Sequence, residues 1–317
     1  MTPRPRIDSH HHLWRPARGD YGWLDGPDPA LSTLRRDVLP EEFKTLARAH
    51  GIGHSVLVQA APTVAETRFL LDLAAADPWI AGVVGWVDLS DPASVDTLEA
   101  LAGDPRFKGV RPMLQDLPEA DWIAQAPHPA VVRTLIRLGL RLDALVTPRE
   151  LPALCRFVAD WPELPVVLDH AGKPPLARPL DRDDPVWAGW QTGLATLGQA
   201  PQLMCKFSGL LTEAGGAARL GGEAALTRLR PVWEHLLQAF GPGRLMWGSD
   251  WPVLTLACGY DRWLSCADRL IDDSLAADAR QAVRTGNAVR FYGLDISGPR
   301  ADAPAPTTGQ PDGAGSH

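Results

Sequence analysis

Apolar positions along this chain alternate between two rhythms: short runs of the length of a buried strand, and longer stretches in which they recur at helical spacing. The first short run is Ile7-Asp8-Ser9-His10-His11-His12-Leu13-Trp14, which reads as a strand ending in three histidines. An irregular segment from Trp14 to about Leu39 follows, rich in Trp, Gly, Pro and Asp and containing Tyr21, Trp23 and Asp25. A long aromatic segment directly after a strand reads as a lid or binding loop. From there the pattern predicts helix Pro40 to Gly51, strand His54 to Gln59, and a helix from Thr63 to Asp77 opened by a Thr63/Glu66 capping box. Strand Ile80 to Asp88, helix Pro92 to Gly103 and strand Phe107 to Leu114 come next, with Pro112 placing the end of that strand. The rhythm continues as helix Pro129 to Gly139, strand Leu140 to Val146, helix Pro148 to Trp161, strand Pro165 to Ala171, helix Pro185 to Leu197 and strand Gln202 to Gly209. Helix Ala224 to Phe240, strand Arg244 to Asp250 and helical stretches Tyr260 to Ile271 and Ala277 to Phe291 complete it.

About eight strand-then-helix units predict parallel strands joined by helical crossovers. The economical closure is an α/β fold of the (β/α)8 TIM-barrel type, with a doubly wound open sheet as the alternative. The chain lacks the Gly-rich phosphate loop after its first strand that a dinucleotide-binding sheet would carry. One barrel domain is expected over residues 1–296, and the Pro-, Gly- and Ala-rich stretch 297–317 is expected to be a disordered tail. The composition, 45% hydrophobic and 22% charged, is that of an ordinary soluble globular protein. A net charge of -7 without a basic run argues against nucleic acid or an anionic membrane as partner and for a small molecule, and leaves room for a homo-oligomer. No signal-peptide stretch precedes the first strand, so the expected location is cytoplasmic, with Cys155, Cys205, Cys258 and Cys266 as buried free thiols.

Alternation along a strand points His10 and His12 to one face and His11 to the other. Two imidazoles one pleat apart can converge on a metal ion or a substrate oxygen; the plain alternative is a chance cluster or a tag remnant. In a barrel the active site forms at the C-terminal ends of the strands. There the sequence places His10 and His12 on strand one, Arg111 on strand four, His170 on strand six, Lys206 in strand seven and Asp250 on strand eight. Any one of these has a structural explanation, but their joint occurrence at one mouth points to chemistry.

The ordered set of motifs resembles the amidohydrolase superfamily, and in particular its amidohydrolase-2 branch with the L-fuconolactonase-like and L-rhamnonolactonase-like sugar-lactone hydrolases. More distantly it is similar to the 2-pyrone-4,6-dicarboxylate lactonases. The motifs are His10-x-His12, Gly19 to Leu24, Val58 to Thr63, Gly109 to Asp116, Leu168 to Pro174, Cys205 to Leu210 and Gly248 to Pro252, and the resemblance runs from Ile7 to about Gly293. It implies a distorted (β/α)8 barrel that opens the ring ester of an aldonolactone. On that basis Asp250 is expected as general base, and His10, His12 and His170 as groups gathered on the carbonyl oxygen, directly or through a metal. Lys206 is expected as a second electrophile, with Arg111, Gln115, Trp23 and Trp251 as substrate contacts.

Strand five, Leu140 to Val146, lacks the histidine that metal-rich relatives carry there. His10, His12, His170 and Asp250 therefore suffice for at most one zinc or similar divalent ion, and no metal is expected to be required. Two rival functions share the motifs: a metal-dependent decarboxylase of an aromatic or muconate-type acid, and a catalytically silent sugar-acid binder. Relatives of the first kind carry a histidine where this chain has Lys206.

Overall fold

The structure, a computed structural model, describes residues 5–177, 181, 183–215 and 222–297, so the expected tail from 298 onward lies outside the described residues. Eight strands, β1 (Arg6–His11), β2 (Ile52–Val58), β3 (Ile80–Gly85), β4 (Phe107–Val110), β5 (Arg141–Ala144), β6 (Val166–Leu168), β7 (Leu203–Phe207) and β8 (Leu245–Trp247), form one sheet in sequential order. All seven ladders are parallel. The sheet closes on itself where His12 N donates to Trp251 O and Asp250 N donates to His10 O, each at 2.8 Å. The protein is a (β/α)8 barrel whose β1–β8 seam is made by the segments just beyond the strands.

A helix follows each strand: Pro40–Ala49, Val64–Ala76, Ser94–Leu101, Pro129–Arg137, Leu151–Asp160, Pro185–Leu197, Gly222–Phe240 and Tyr260–Ser274. Proline at the first helical position starts the helices at Pro40, Pro129 and Pro185, where its missing N–H costs nothing and its φ is already helical. Asp184 caps the last of these by accepting from Val186 N at 2.8 Å. Alternate strand residues face two apolar layers. Leu142, Leu168, Phe207 and Trp247 pack outward against the helices. Ile7, Val56, Val167, Met204 and Met246 fill the barrel interior above the C-terminal helix Asn287–Tyr292, which contributes Ala288, Phe291 and Tyr292.

Several expectations are corrected. Strands six and eight end earlier than the apolar runs suggest, because the backbone turns left-handed at His170 (φ 51°), Ala171 (φ 53°) and Asp250 (φ 61°). The inward parity of β1 is not a simple alternation. A register shift between Asp8 and His11 lets both Ile7 and His10 face the barrel interior. Cys155 is only half buried, although all four cysteines are free thiols. Among the described residues no helix is long and apolar enough to cross a membrane.

The Thr63/Glu66 capping box is only half formed. Thr63 Oγ1 accepts from Glu66 N at 3.0 Å, but the Glu66 carboxylate accepts instead from Ala60 N and Ala61 N at 2.9 and 2.8 Å, pinning the turn after β2. Burial pushes this carboxyl from 4.5 up to about 7, against the two amides and Arg111. The folded protein thus holds a proton that the unfolded chain releases near pH 4.5, and Glu66 withdraws stability as pH rises from about 4.5 to about 7. Glu66→Gln should flatten that fall, read as urea midpoints at pH 5 and 7.5.

Candidate active site

The barrel mouth collects side chains from the β1, β6 and β8 ends. His12 Nδ1 donates to Val58 O at 2.8 Å, so in the neutral ring the lone pair is on Nε2, which faces the mouth. His10 Nε2 lies 3.2 Å from His12 Nε2. Asp250 Oδ1 stands 3.3 Å from His12 Nε2 and 3.7 Å from both His10 Nε2 and His170 Nε2. His170 Nδ1 is held by Ser208 Oγ at 2.9 Å. His11 points away, stacked on Phe43 and hydrogen-bonded to Ser55 at 2.9 Å. Left-handed backbone at both His170 and Asp250 is what aims their side chains inward, a local strain of the kind that collects at functional sites.

Burial raises the Asp250 carboxyl, but His170, His12 and His10 around it more than offset this and hold it well below the usual carboxylate range. Burial pushes His10 well down and His170 to about 4, so these rings are neutral at physiological pH. Together they form a fixed carboxylate facing neutral imidazoles, an arrangement able to take a proton from water beside groups that can donate to, or ligate, an oxygen. Donor atoms of His10, His170 and Asp250 all lie within 4.8 Å of one another. Tetrahedral zinc with bonds of about 2.0–2.1 Å needs donors roughly 3.3 Å apart, and Asp250 Oδ1 stands 3.3 to 3.7 Å from the Nε2 atoms of His10, His12 and His170. The triad His10, His170 and Asp250 fits a single divalent ion, with His12 beside it.

Glycine makes room for this. Gly209, at φ 64°, lies where a Cβ would come 2.5 Å from His170 Nδ1 and 3.1 Å from Asp250 Oδ2. We expect Gly209→Ala to displace the His170 ring and cut turnover by about 100-fold or more, on the scale by which a roughly 1 Å misplacement costs rate. Steady-state kinetics beside an unchanged circular dichroism spectrum would check it.

Beneath the histidines the barrel interior changes from apolar to ionic. Lys206, fully buried, reaches Asp143 Oδ2 at 2.5 Å, Asp169 Oδ1 at 3.0 Å and His10 Nδ1 at 3.0 Å. Tyr292 Oη donates to Asp143 Oδ2 at 2.8 Å from below. Lys206 is therefore spent on the protein's own carboxylates, not directed at the mouth as a second electrophile. Arg111 is likewise turned inward: its Nη2 donates to Gln59 O, and Nη1 sits 3.8 Å from Asp169. Trp251, 2% exposed, stacks on Phe43 at 4.7 Å within the core and offers no face to a substrate. Gln115 lies at the rim, its amide turned to Asp116 at 3.3 Å.

Trp23, expected as a substrate contact, is partly exposed. Its indole donates to Ala60 O at 2.9 Å, and its ring lines a cleft of about 540 Å³ over the ends of β1 to β4. Trp86, Trp122, Asp20, Asp88 and Asp116 share that wall. None of His10, His12, His170 and Asp250 lines this cleft; a chain of contacts links the two, since Met113, which lines it, receives Gln59 Nε2 at 3.3 Å, and Gln59 Nε2 also donates to the main chain of Arg111, whose guanidinium stands 3.8 Å from Asp169. The sequence reading missed Asp143, Asp169, Ser208 and Tyr292. For Asp143 and Asp169 the signal was present: a carboxylate inside an apolar strand or at its end needs a buried partner, and Lys206 supplies it.

The chain is similar to known proteins over nearly its whole length. The chain is 40% identical over 293 residues to an L-fucono-1,5-lactonase of Burkholderia ambifaria, spanning 92% of this chain and 96% of that one. It superposes on an amidohydrolase of Burkholderia multivorans with bound HEPES at a TM-score of 0.85 and 39% identity, covering 92% of this chain and all of the other. A zinc-bound structure of an amidohydrolase from the same organism gives 0.83 and 37% over the same 92% of this chain and, again, all of the other. With residues 7–294 matching the amidohydrolase family model, the chain belongs to that family.

Proposed function

We propose that the protein hydrolyses a sugar-acid lactone, the ring ester of an aldonic acid. The observation that carries this is the Asp250 carboxylate, held ionised at the mouth and faced by the Nε2 atoms of His10, His12 and His170 at 3.3 to 3.7 Å. The relatives named L-fucono-1,5-lactonase support the substrate class.

Asp250 takes a proton from water as the water oxygen attacks the lactone carbonyl carbon, and the carbonyl π electrons move onto oxygen. The Nε2 edges of His10 and His170, when they carry the ring proton, donate to that oxyanion in a buried site where such donors act most strongly, while His12 Nε2 is an acceptor. When the tetrahedral adduct collapses, the C–O bond to the ring oxygen breaks and Asp250 returns its proton to that oxygen. The product is a hydroxy acid, which ionises and releases one proton. A zinc ion held by His10, His170 and Asp250, with His12 beside it, would supply Lewis-acid polarisation of the same carbonyl. Trp23, Trp86 and Trp122 offer apolar surface to the sugar ring, and Asp20, Asp88 and Asp116 acceptors for its hydroxyls.

The test is proton release at neutral pH across L- and D-aldono-1,4- and -1,5-lactones, with chelator-treated and zinc-restored protein. Ring opening of at least one sugar lactone is the expected result. Failure with every lactone under both conditions, or carbon dioxide release from an aromatic acid, would overturn it.

A further inference from the structure

We infer that Lys206 and Asp169 form a tautomer selector for His10, setting whether its Nε2 presents a proton or a lone pair to the mouth. The observation is a competition for one atom. Lys206 Nζ donates to His10 Nδ1 at 3.0 Å, while Asp169 Oδ1 lies 3.3 Å from the same nitrogen without a hydrogen bond to it. Both Asp169 oxygens are buried with no hydrogen-bond partner, although Lys206 and Arg111 stand nearby at 3.0 and 3.8 Å. A buried carboxylate with open acceptor sites next to a ring nitrogen is a partner in waiting.

Two hydrogen-bond patterns around His10 are self-consistent: the one in the observed geometry, and a second reached by a small turn of the Asp169 carboxylate into line with Nδ1. In the first, the Lys206 ammonium donates to Nδ1, so the ring proton sits on Nε2 and donates to His12 Nε2 at 3.2 Å; His12 Nδ1 then donates to Val58 O at 2.8 Å. Every proton in that chain has an acceptor. In the second, His10 Nδ1–H donates to Asp169, and Lys206 is left with Asp143 and Asp169, which it already meets at 2.5 and 3.0 Å. His10 Nε2 is then a bare lone pair facing the bare lone pair of His12 across 3.2 Å. Two lone pairs at that distance repel unless a cation lies between them, so the second pattern belongs to the metal-bound site and the first to the metal-free one. Passage between them moves one proton across the ring with no change in net proton count.

Lys206 and Asp169 are thus positioning residues that act through His10, with opposite effects. Lys206 favours a donor edge, and Asp169 favours a ligand. In the donor form Nε2–H, which donates to His12 in the free site, can switch to a lactone carbonyl oxygen. That consequence rests on the lactonase reading; the tautomer exchange does not.

The experiment uses the full chain carrying ¹⁵N-histidine, followed by NMR at neutral pH after chelator treatment and again with one equivalent of zinc. His10→Asn identifies the His10 ring signals by their loss. Without metal, the proton is expected on Nε2 and the bare-nitrogen shift on Nδ1; with zinc, the two should exchange. Beside this, Asp169→Asn should weaken zinc binding about tenfold or more, read by competition with a chromophoric chelator. The same ring nitrogen protonated in both states, no response of His10 to zinc, or Asp169→Asn holding zinc as tightly as the parent would overturn the inference. Neither readout needs a substrate, so a failed lactone screen leaves them standing.

Discussion

Asp250→Asn is expected to lower kcat for lactone hydrolysis by about 1,000-fold while leaving the fold intact, within the range of roughly 10²–10⁴ that a positioned base contributes. The conservation of structure is argued from the backbone. Asp250 sits at φ 61°, a left-handed conformation that asparagine tolerates at least as well as aspartate, and its main-chain N–H still donates to His10 O. The amide keeps the shape of the carboxylate and removes its charge, so the water loses its base and the imidazoles lose the anion they face. Asp250 also belongs to the donor set for a divalent ion, so adding zinc should not rescue the variant. Steady-state kinetics with thermal unfolding as a control would decide it. A variant within tenfold of the parent would remove Asp250 from the mechanism.

The largest expected effect on stability is that of Lys206→Met. Lys206 is fully buried and is the cation nearest both Asp143 and Asp169, so methionine would match its bulk and strand two carboxylates in the barrel interior. Breaking a buried pair in this way costs on the order of 3–5 kcal/mol. Burial and the neighbouring Asp169 already push the Asp143 carboxyl up to about 6 against the pull of Lys206, and without that pull it rises further. The loss should therefore be greatest at neutral and alkaline pH, where both carboxyls must ionise or hold protons against solvent, and smaller in mild acid. Urea unfolding of the parent and variant at pH 5 and 8 checks both magnitude and direction. Equal midpoints for the two proteins would show that the ionic cluster carries no net stability.

Much of this architecture was legible in the chain because each barrel unit is local. Proline-started helices, apolar strand runs and glycine punctuation repeat within a few tens of residues, and closure into a barrel follows once parallel strands are accepted. The polar strand ends marked His10, His12, His170 and Asp250 for the same reason. The outward-facing chemistry was over-read where a side chain's destination depends on distant partners. Lys206 and Arg111 look like substrate cations in isolation, yet carboxylates and carbonyls from other strands claim them. Trp251 follows Asp250 directly, but the turn that aims the aspartate inward lays the indole on Phe43. The β1 register shift is a property of its pairing with β2 and has no signature in the residues themselves.

The phenol of Tyr292 ties the site to the order in which the chain is made. It reaches Asp143 from a helix that closes the barrel floor, and the free edge of β1 is sealed by β8 and the residues just after it. During synthesis the first histidines leave the ribosome well before either partner exists. Until the final helix emerges, the nascent half-barrel exposes strand edges and an interior whose buried charges cannot all be paired. The site therefore matures only after nearly the whole chain is released, and translation stalled before residue 292 should yield protease-sensitive chains that chaperones must hold.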